Sequence, residues 1–171
     1  TEVDSYYNQL SGVKDELELV ADYTEYNEAY EAALAVTNDD NKYEPTAFSA
    51  HFATVEYINS GLDKRLGVTQ QNVVDEATQQ LKDLLVVLEQ NAYCDYTELD
   101  NLISIAEERF PKDNSSGKYR DEIYNAMIEA LENAKTIDRE MVKGVDDVNQ
   151  KAIDLAAKEL LYAIYYEHYD S

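Results

Sequence analysis

The sequence predicts an all-α protein built from two tandem three-helix bundles with an additional leading helix. Gly and Pro are scarce, with five and two among 171 residues, and a β-sandwich of this length would need more of these turn-forming residues. The tripeptide Tyr23-Thr24-Glu25 recurs as Tyr96-Thr97-Glu98, 73 positions later. At the same offset, apolar residues recur with the i, i+3, i+4, i+7 spacing of one helix face, which indicates two modules with separate cores. The pairs are Tyr26 with Leu99, Ala29 with Leu102, Tyr30 with Ile103, and Ala33 with Ala106.

A leading segment, residues 1–21, precedes the two modules and is predicted to form a helix over 1–20. Its apolar stripe lies 71 positions before the stripe of the third helix in the first module, so the leading helix resembles a third helix. Two interpretations follow: it is the last helix of a preceding module, or it caps the first module. The stripe consists of Val3, Tyr6, Leu10, Val13 and Leu17.

The first module is predicted over residues 22–91. Its first helix covers about 24–36, and Pro45 opens the second helix, where the missing N–H of proline has no helical bond to lose. Gly67-Val68-Thr69 leads into the third helix, with Thr69 as a candidate N-cap. The buried stripe of the second helix is Phe48, His51, Phe52, Val55 and Ile58.

The second module, residues 92–171, copies this plan. Gly144-Val145-Asp146 mirrors Gly67-Val68-Thr69, and the offset between the modules widens along the chain from 73 to 76 to 79, as small loop insertions would produce. Because the loops are short, helices that follow each other in sequence are expected to pack antiparallel. The second-helix stripe is Tyr124, Met127, Ile128, Leu131 and Ala134, and the third-helix stripe, Ile153, Ala156, Leu160 and Ala163, follows Val74, Ala77, Leu81 and Leu84.

The charge of the chain limits its partners. The formal net charge is -22, from 14 basic and 36 acidic residues. Such a surface repels phosphate backbones and anionic lipids, so we expect neither nucleic acid nor a membrane as a partner. The acidity is typical of a soluble protein, and it also suits a neutral, hydroxyl-rich partner. Cys94 is the one cysteine, which excludes an internal disulfide, and no run of 18 apolar residues would span a membrane.

The sequence contains no pattern that indicates catalysis. G-x-S-x-G, Walker and Rossmann motifs are missing. His51, His168 and Cys94 cannot make a tetrahedral zinc site without carboxylates of unknown position. The loop 113–117 lacks the glycine position and the final glutamate of a calcium loop. A glycosidase needs two carboxylates about 5–10 Å apart in a cleft, which small helical bundles do not offer. We therefore expect no enzyme activity, no metal and no cofactor.

Both modules carry the same longer pattern. The second contains Tyr96-Thr97-Glu98-Leu99-x-x-Leu102-Ile103-x-x-Ala106, then Tyr119-x-x-x-x-Tyr124, then a third helix with Ala/Leu spacing. The first contains Tyr23-Thr24-Glu25, Tyr43-x-x-x-x-Phe48 and Val74-x-x-Ala77-x-x-x-Leu81. These patterns resemble the FIVAR family, which is found in various architectures. The resemblance implies small helical bundles in large extracellular or cell-surface bacterial proteins, with a carbohydrate-binding or adhesive role.

Tyrosine supplies the unusual chemistry of this chain, with 15 tyrosines and no tryptophan. A tyrosine ring has an apolar face, which suits the C–H face of a sugar, and a polar tip. Lys42-Tyr43 and Lys118-Tyr119 recur at matched corners before the second helix of each module, and each is a candidate sugar site. The alternative is a tyrosine that plugs the end of its bundle. On the last helix, Tyr162, Tyr166 and Tyr169 share a face and are candidates for glycan contact or for docking a neighbouring module.

We therefore expect a non-catalytic, extracellular carbohydrate-binding module that recognises a neutral polysaccharide or glycan, such as starch or a plant or host glycan, through surface tyrosines. Two alternatives stay open: a structural spacer or stalk, and a protein-binding adhesin module, of a large cell-surface or secreted bacterial protein. Neighbouring modules of the same parent chain are further expected partners, and the chain itself is expected to be monomeric.

Overall fold

The computed structural model describes residues 1–16, 18–110 and 113–165, with 11–16 described by their backbone alone, and it confirms the all-α prediction. These residues form seven α-helices and two 3₁₀ turns, and the β-pairing among them is limited to isolated bridges. The helices are α1 Glu2–Glu16, α2 Thr24–Leu34, α3 Pro45–Gly61, α4 Gln71–Gln90, α5 Thr97–Arg109, α6 Asp121–Lys135 and α7 Val148–Tyr165, and the 3₁₀ turns are Val68–Gln70 and Val145–Asp147.

The chain divides into two compact units. The first comprises Thr1–Asn41 and Pro45–Leu88, and the second comprises Lys42–Glu44 and Glu89–Ser171. The predicted module boundary at residues 91 and 92 therefore differs from the observed division by three residues. The short segment Lys42–Glu44 belongs to the second unit although its neighbours on both sides belong to the first. This exchange places the first Lys-Tyr corner in the second unit.

The core of the first unit lies between α2, α3 and α4. Tyr26 of α2 is fully buried; its hydroxyl donates to Asn59 Oδ1 at 2.8 Å, and its ring stacks on that of Tyr30 with centroids 6.1 Å apart. Because a buried hydroxyl without a partner is costly, the amide of Asn59 permits a tyrosine at this position. The buried cluster is Ala21, Tyr26, Ala29, Ala33, Val55, Leu62, Val74, Ala77 and Leu81.

The core of the second unit lies between α5, α6 and α7 and is mainly aliphatic. Leu99 occupies the position of Tyr26, and Met127 that of His51; both are fully buried. The predicted stripe of the second helix is confirmed here, since Tyr124, Met127, Leu131 and Ala134 are buried and Ile128 is half-buried. In the first unit His51 and Val55 of that stripe are buried, whereas Phe48, Phe52 and Ile58 are half-buried.

The start of α2 is held by a small network of hydrogen bonds. Asp22 Oδ1 accepts from the N–H of Thr24 at 2.8 Å and from its hydroxyl at 2.6 Å. The side-chain amide of Gln71 donates to the carbonyl of Asp22 and accepts from its N–H, at 2.8 and 2.7 Å. The hydroxyl of Tyr23 accepts from the N–H of Leu66 at 3.0 Å. These bonds connect the start of α2 to the residues that lead into α4.

The same network recurs at the start of α5. Asp95 Oδ1 accepts from the N–H of Thr97 at 2.9 Å, and Gln150 donates to the carbonyl of Asp95 at 2.9 Å and accepts from its N–H at 2.7 Å. The hydroxyl of Tyr96 accepts from the N–H of Met141 at 3.2 Å. The sequence repeat thus corresponds to a repeated set of hydrogen bonds as well as to repeated core positions.

The prediction that Thr69 caps the third helix is wrong. Thr69 lies inside the 3₁₀ turn Val68–Gln70, and α4 begins at Gln71. Its hydroxyl and its N–H both donate to the carboxylate of Glu18, and these bonds lower the pKa of Glu18 from its usual value, the hydroxyl being the larger cause. The carboxylate that satisfies this turn therefore comes from a residue distant in sequence, which local capping rules do not consider.

Gly67 and Gly144, which correspond in the sequence repeat, differ in backbone conformation and in their distance from the neighbouring β-bridge. Gly67 and Gly144 each precede a 3₁₀ turn, as predicted, but Gly67 also bridges Val20, whereas Val142 makes the corresponding bridge to Tyr93. Two extra residues therefore separate bridge and turn in the second unit. Gly144 has φ +77°, a left-handed conformation that favours glycine, while Gly67 has φ -78°.

The leading helix α1 ends at Glu16, before the predicted end at residue 20. Val3, Tyr6 and Leu10 of its apolar stripe are exposed. These three side chains therefore do not pack on the first module, as they would if this helix capped it. The remaining stripe residues have no described side chains, since Val13 and Leu17 fall outside the residues described at that level.

Candidate functional site

The first Lys-Tyr corner is closed by contacts within the second unit. Lys42 Nζ lies 2.9 Å from Glu89 Oε2 and 4.9 Å from the centroid of the Tyr43 ring. Lys143 Nζ approaches the other oxygen of Glu89 at 3.2 Å, and the Tyr43 hydroxyl donates to Glu89 Oε2 at 3.4 Å. Tyr43 is only 9% exposed. Its ring therefore has little surface to offer a sugar.

Electrostatics at this corner follow from one carboxylate shared by two ammonium groups. The hydrogen bond from Lys42 is the main cause that holds the pKa of Glu89 below its usual value, with burial acting in the opposite sense and Lys143 adding to the lowering. The same bond to Glu89 raises the pKa of Lys42. These side chains are partly exposed, so the ion pairs contribute about 0–1 kcal/mol each. The arrangement is a structural clamp, in which the carboxylate of Glu89 is held between two ammonium groups.

The second Lys-Tyr corner is more open. Lys118 Nζ lies 5.3 Å from the centroid of the Tyr119 ring, so the cation–π contact of the first corner recurs. The Tyr119 ring is half-buried, with centroids 5.1 Å from Phe110 and 6.4 Å from Tyr124. Asn114 fixes the backbone, accepting from the N–H of Tyr119 at 3.2 Å and donating to its carbonyl at 2.7 Å. Part of one ring thus remains accessible here.

The last helix carries Tyr162, the most exposed of the predicted site tyrosines whose side chains are described. Tyr162 is 52% exposed and stands beside Leu155, which is also exposed. These two residues border a groove of about 580 Å³ between α6 and α7 of the second unit. Tyr166 and Tyr169, predicted to share the face of Tyr162, lie outside the described residues. The groove is lined by Ala126, Ala130, Leu155, Glu159, Leu161 and Tyr162, among others.

The first unit has a groove that the site prediction did not include. It lies between α3 and α4, has a volume of about 490 Å³, and is bordered by Tyr57, the most exposed tyrosine among the residues with described side chains. Tyr57 falls outside the apolar stripe of its helix, and that position was the available signal in the sequence. Its counterpart 76 positions later is Asn133, so this surface is not repeated in the second unit.

Neither metal-binding nor membrane-spanning features occur in the described parts of the chain. Among the side chains that the structure describes, in residues 1–10, 18–110 and 113–165, no three of His, Cys, Asp or Glu are grouped so that they would hold a metal ion. None of the helices in these ranges is both long and apolar enough to cross a membrane. Burial raises the pKa of the Cys94 thiol, which favours its neutral form.

Comparison with known proteins adds no further identification. No protein-family model matches the chain, and neither the curated proteins nor the solved structures compared with it give a match. The class of protein that fold and site define is a tandem helical module with exposed aromatic grooves. The FIVAR assignment stays a prediction from the sequence pattern.

Proposed function

We propose that the chain is a non-catalytic carbohydrate-binding region of a large extracellular bacterial protein, and that it holds a neutral polysaccharide or glycan in the groove beside Tyr162. The observation that carries this proposal is the exposed Tyr162 ring at the edge of a groove with both apolar and charged walls. The setting agrees with the role that the FIVAR resemblance implies.

The chemistry of the groove suits a sugar ring. The face of Tyr162 can cover the C–H face of a pyranose, while Glu159 and Lys158, which also line the groove, can bond to hydroxyl groups. A neutral ligand avoids the repulsion that a net charge of -22 imposes on anions. A single shallow site of this kind binds with a Kd of roughly millimolar to micromolar.

The Lys-Tyr corners contribute less to this proposal than the sequence suggested. The Tyr43 ring is buried, and Lys42 is paired with Glu89. Lys118 and the half-buried Tyr119 are the better candidate of the two corners, and we assign them a secondary contact. The order of expected importance is therefore Tyr162, then Tyr119, then Tyr43.

Affinity electrophoresis through gels that contain starch or plant or host glycans tests the proposal. Retardation of the native chain by one neutral glycan is the expected result. Tyr162→Ala should weaken that retardation about fivefold or more, as loss of a stacked ring would. Tyr57→Ala is the matched control, since it removes another exposed ring from a groove in the first unit and should leave retardation unchanged.

Two outcomes would contradict the proposal. If none of the glycans retards the chain, the binding hypothesis fails. If a glycan retards the chain and Tyr162→Ala and Tyr57→Ala behave alike, binding occurs elsewhere. A buried-ring control, Tyr43→Phe, removes only the hydroxyl next to Glu89 and is expected to leave retardation unchanged.

A spacer or protein-binding adhesin is the second candidate function. It is favoured by the packing of Tyr26, Tyr43 and Tyr124, whose rings are buried in their units and so serve stability. It is also favoured by the predominance of Ala and Leu in the groove beside Tyr162, because such a surface accepts an apolar helix of another protein. Failure of every glycan to bind would leave this candidate in place.

A further inference from the structure

The second unit contains a backbone pairing of three short segments. Its central segment is 91–94. On one side, the N–H of Tyr93 donates to the carbonyl of Lys42 at 2.9 Å, and the N–H of Glu44 donates to the carbonyl of Asn91 at 3.0 Å. On the other side, the segment 141–143 is bonded in the same way. There, Cys94 N–H donates to Met141 O at 2.9 Å and Lys143 N–H donates to Ala92 O at 2.8 Å.

The first unit repeats only two of these three segments. The central segment is 18–21, displaced by 73 from 91–94. Ala21 N–H donates to Leu66 O at 2.9 Å, and Val68 N–H donates to Leu19 O at 2.6 Å, which reproduces the bonds of Cys94 and Lys143. The segment that would correspond to Lys42–Glu44 is not present among the described residues of this unit.

Burial at the two central segments differs accordingly. Ala92 is 0% exposed, whereas its counterpart Leu19 is 77% exposed. Tyr93 is half-buried, whereas its counterpart Val20 is 65% exposed. The register also places the N–H of Val20 and the carbonyl of Glu18 on the open side, at the positions that Tyr93 and Asn91 use to bind the third segment. The described residues of the chain provide these two groups with no partner. An open edge of this kind is a template for added backbone.

We propose that the edge Glu18–Val20 binds the Lys-Tyr corner 118–120 of a second copy of this chain. This inference goes beyond the proposed glycan binding and does not depend on it. The corner Lys118-Tyr119-Arg120 stands 76 positions after Lys42-Tyr43-Glu44, and both lysines lie over the following tyrosine ring. The occupant is therefore the one described segment that repeats the segment seated on the equivalent edge of the second unit.

The backbone of the corner 118–120 is compatible with this pairing. The template uses the carbonyl of the lysine and the N–H of the third residue, which are Lys42 O and Glu44 N in the second unit. In the second corner, Asn114 bonds the N–H and the carbonyl of Tyr119, the middle residue. The carbonyl of Lys118 and the N–H of Arg120 are then the groups that meet Val20 N–H and Glu18 O of the other copy.

The association is head-to-tail. Edge and corner lie on different parts of the chain, so each copy can bind one copy at each surface, and the contact is heterologous. Because each copy carries a net charge of -22, association should strengthen as salt screens the repulsion. A glycan-mediated association would have no such requirement for the two backbone groups.

The substitution Arg120→Pro tests the proposal, with Arg120→Ala as its matched control. Arg120 has φ -64° and ψ 135°, so proline fits the backbone there and deletes the N–H, while alanine keeps it. The measurement is the concentration dependence of amide shifts by NMR, from dilute solution to about 1 mM, at low salt and at about 0.5 M salt.

In the native chain, the amides of Glu18, Val20 and Arg120 should shift together with concentration, and more strongly at high salt. Arg120→Pro should weaken association about 2- to 10-fold relative to Arg120→Ala, as expected for one lost hydrogen bond. Val20→Pro deletes the donor N–H of the edge at an exposed position, should weaken association to a similar extent relative to Val20→Ala, and provides the test if Arg120→Pro does not fold. Equal association of all variants, or no shift at Glu18 and Val20 at about 1 mM, would overturn the proposal.

Discussion

The two units share the hydrogen bonds before α2 and α5 and differ in their cores. Asp22 and Asp95 begin corresponding helices with the same bonds to a threonine and a glutamine. In the core, by contrast, the first unit places Tyr26 where the second places Leu99, and each is fully buried. The repeated feature is therefore the set of hydrogen bonds at these helix starts, whereas the side chains that fill the two cores differ.

Within each core, neighbouring positions compensate for differences in side-chain volume and polarity. The large Tyr26 is followed one turn later by the small Ala29, whereas the second unit has Leu99 and Leu102 at the same two positions. Of the two residues, Tyr26 carries a hydroxyl, and Asn59 accepts from it, whereas the counterpart of Asn59 in the second unit is Lys135. Cores tolerate such changes when the total volume and the hydrogen bonds are kept.

The largest effect is expected from truncation of the paired core leucines. Leu81→Ala and Leu160→Ala each leave a cavity at a fully buried site and should lower the free energy of unfolding of their own unit by about 2–5 kcal/mol. Urea denaturation followed by NMR signals of each unit measures this. Val86→Ala and Leu155→Ala, exposed on the same helices, are controls. A loss below about 1 kcal/mol at either leucine would contradict two separate cores.

The tyrosines that precede α2 and α5, Tyr23 and Tyr96, should contribute differently to the free energy of unfolding. The hydroxyl of Tyr23 donates to Asp63 O at 2.7 Å and accepts from Leu66 N–H at 3.0 Å, whereas that of Tyr96 accepts from Met141 N–H at 3.2 Å. Tyr23→Phe should cost about 1–3 kcal/mol and Tyr96→Phe about 1 kcal/mol, because more groups lose a partner in the first case. Chemical denaturation of both variants checks the order, and a larger loss for Tyr96→Phe would refute it.

His51→Met is expected to destabilise the first unit. His51 is buried, and its Nε2 lies 2.8 Å from the carbonyl oxygen of the buried Ala33. Methionine stands at the counterpart Met127, but there the carbonyl of Ala106 accepts from the N–H of Phe110 at 3.0 Å. Loss of the imidazole takes this partner from a buried carbonyl, which costs about 1–3 kcal/mol. Thermal unfolding at neutral pH tests this, and a Tm equal to or above that of the native chain would be the contrary result.

The smallest effect concerns acid stability, which should be alike in the two units. A hydrogen bond from the Thr24 hydroxyl lowers the pKa of Asp22, and one from Thr97 lowers the pKa of Asp95. The folded pKa is then below the unfolded one, so the contribution is present above about pH 4 and is lost as pH falls through the folded pKa. Asp22→Asn and Asp95→Asn should therefore reduce the fall in Tm between neutral and acid pH. If the fall in Tm is unchanged in both variants, these carboxylates do not contribute to the acid sensitivity of the fold.

Local sequence patterns predicted the helices and most of their buried faces. The i, i+3, i+4, i+7 spacing depends on the helix alone, so Leu99, Leu102 and Ala106 were found without knowledge of their partners. The repeat itself was readable because the loops changed length while the helices kept their spacing. These features need no information about distant contacts.

Contacts between distant residues were not predictable in the same way. Glu18 satisfies the turn at Thr69, and Lys42 pairs with Glu89. Both contacts depend on where the folded chain brings the partners, and many acidic residues were equally available in sequence. The burial of Tyr43 follows from the same cause, because its segment is bonded to 91–93. The candidate site at that corner was therefore the part of the prediction least determined by local pattern.

Amide hydrogen exchange in dilute solution is the most direct test of the repeated hydrogen bonds and of the open edge Glu18–Val20. The N–H groups of Ala21, Cys94 and Tyr93 should be protected, because they donate to the carbonyls of Leu66, Met141 and Lys42. The N–H of Val20, the counterpart of Tyr93, should exchange at close to the rate of an unstructured chain. Protection of Val20 equal to that of Tyr93, or rapid exchange of Ala21 beside a protected Cys94, would contradict these expectations.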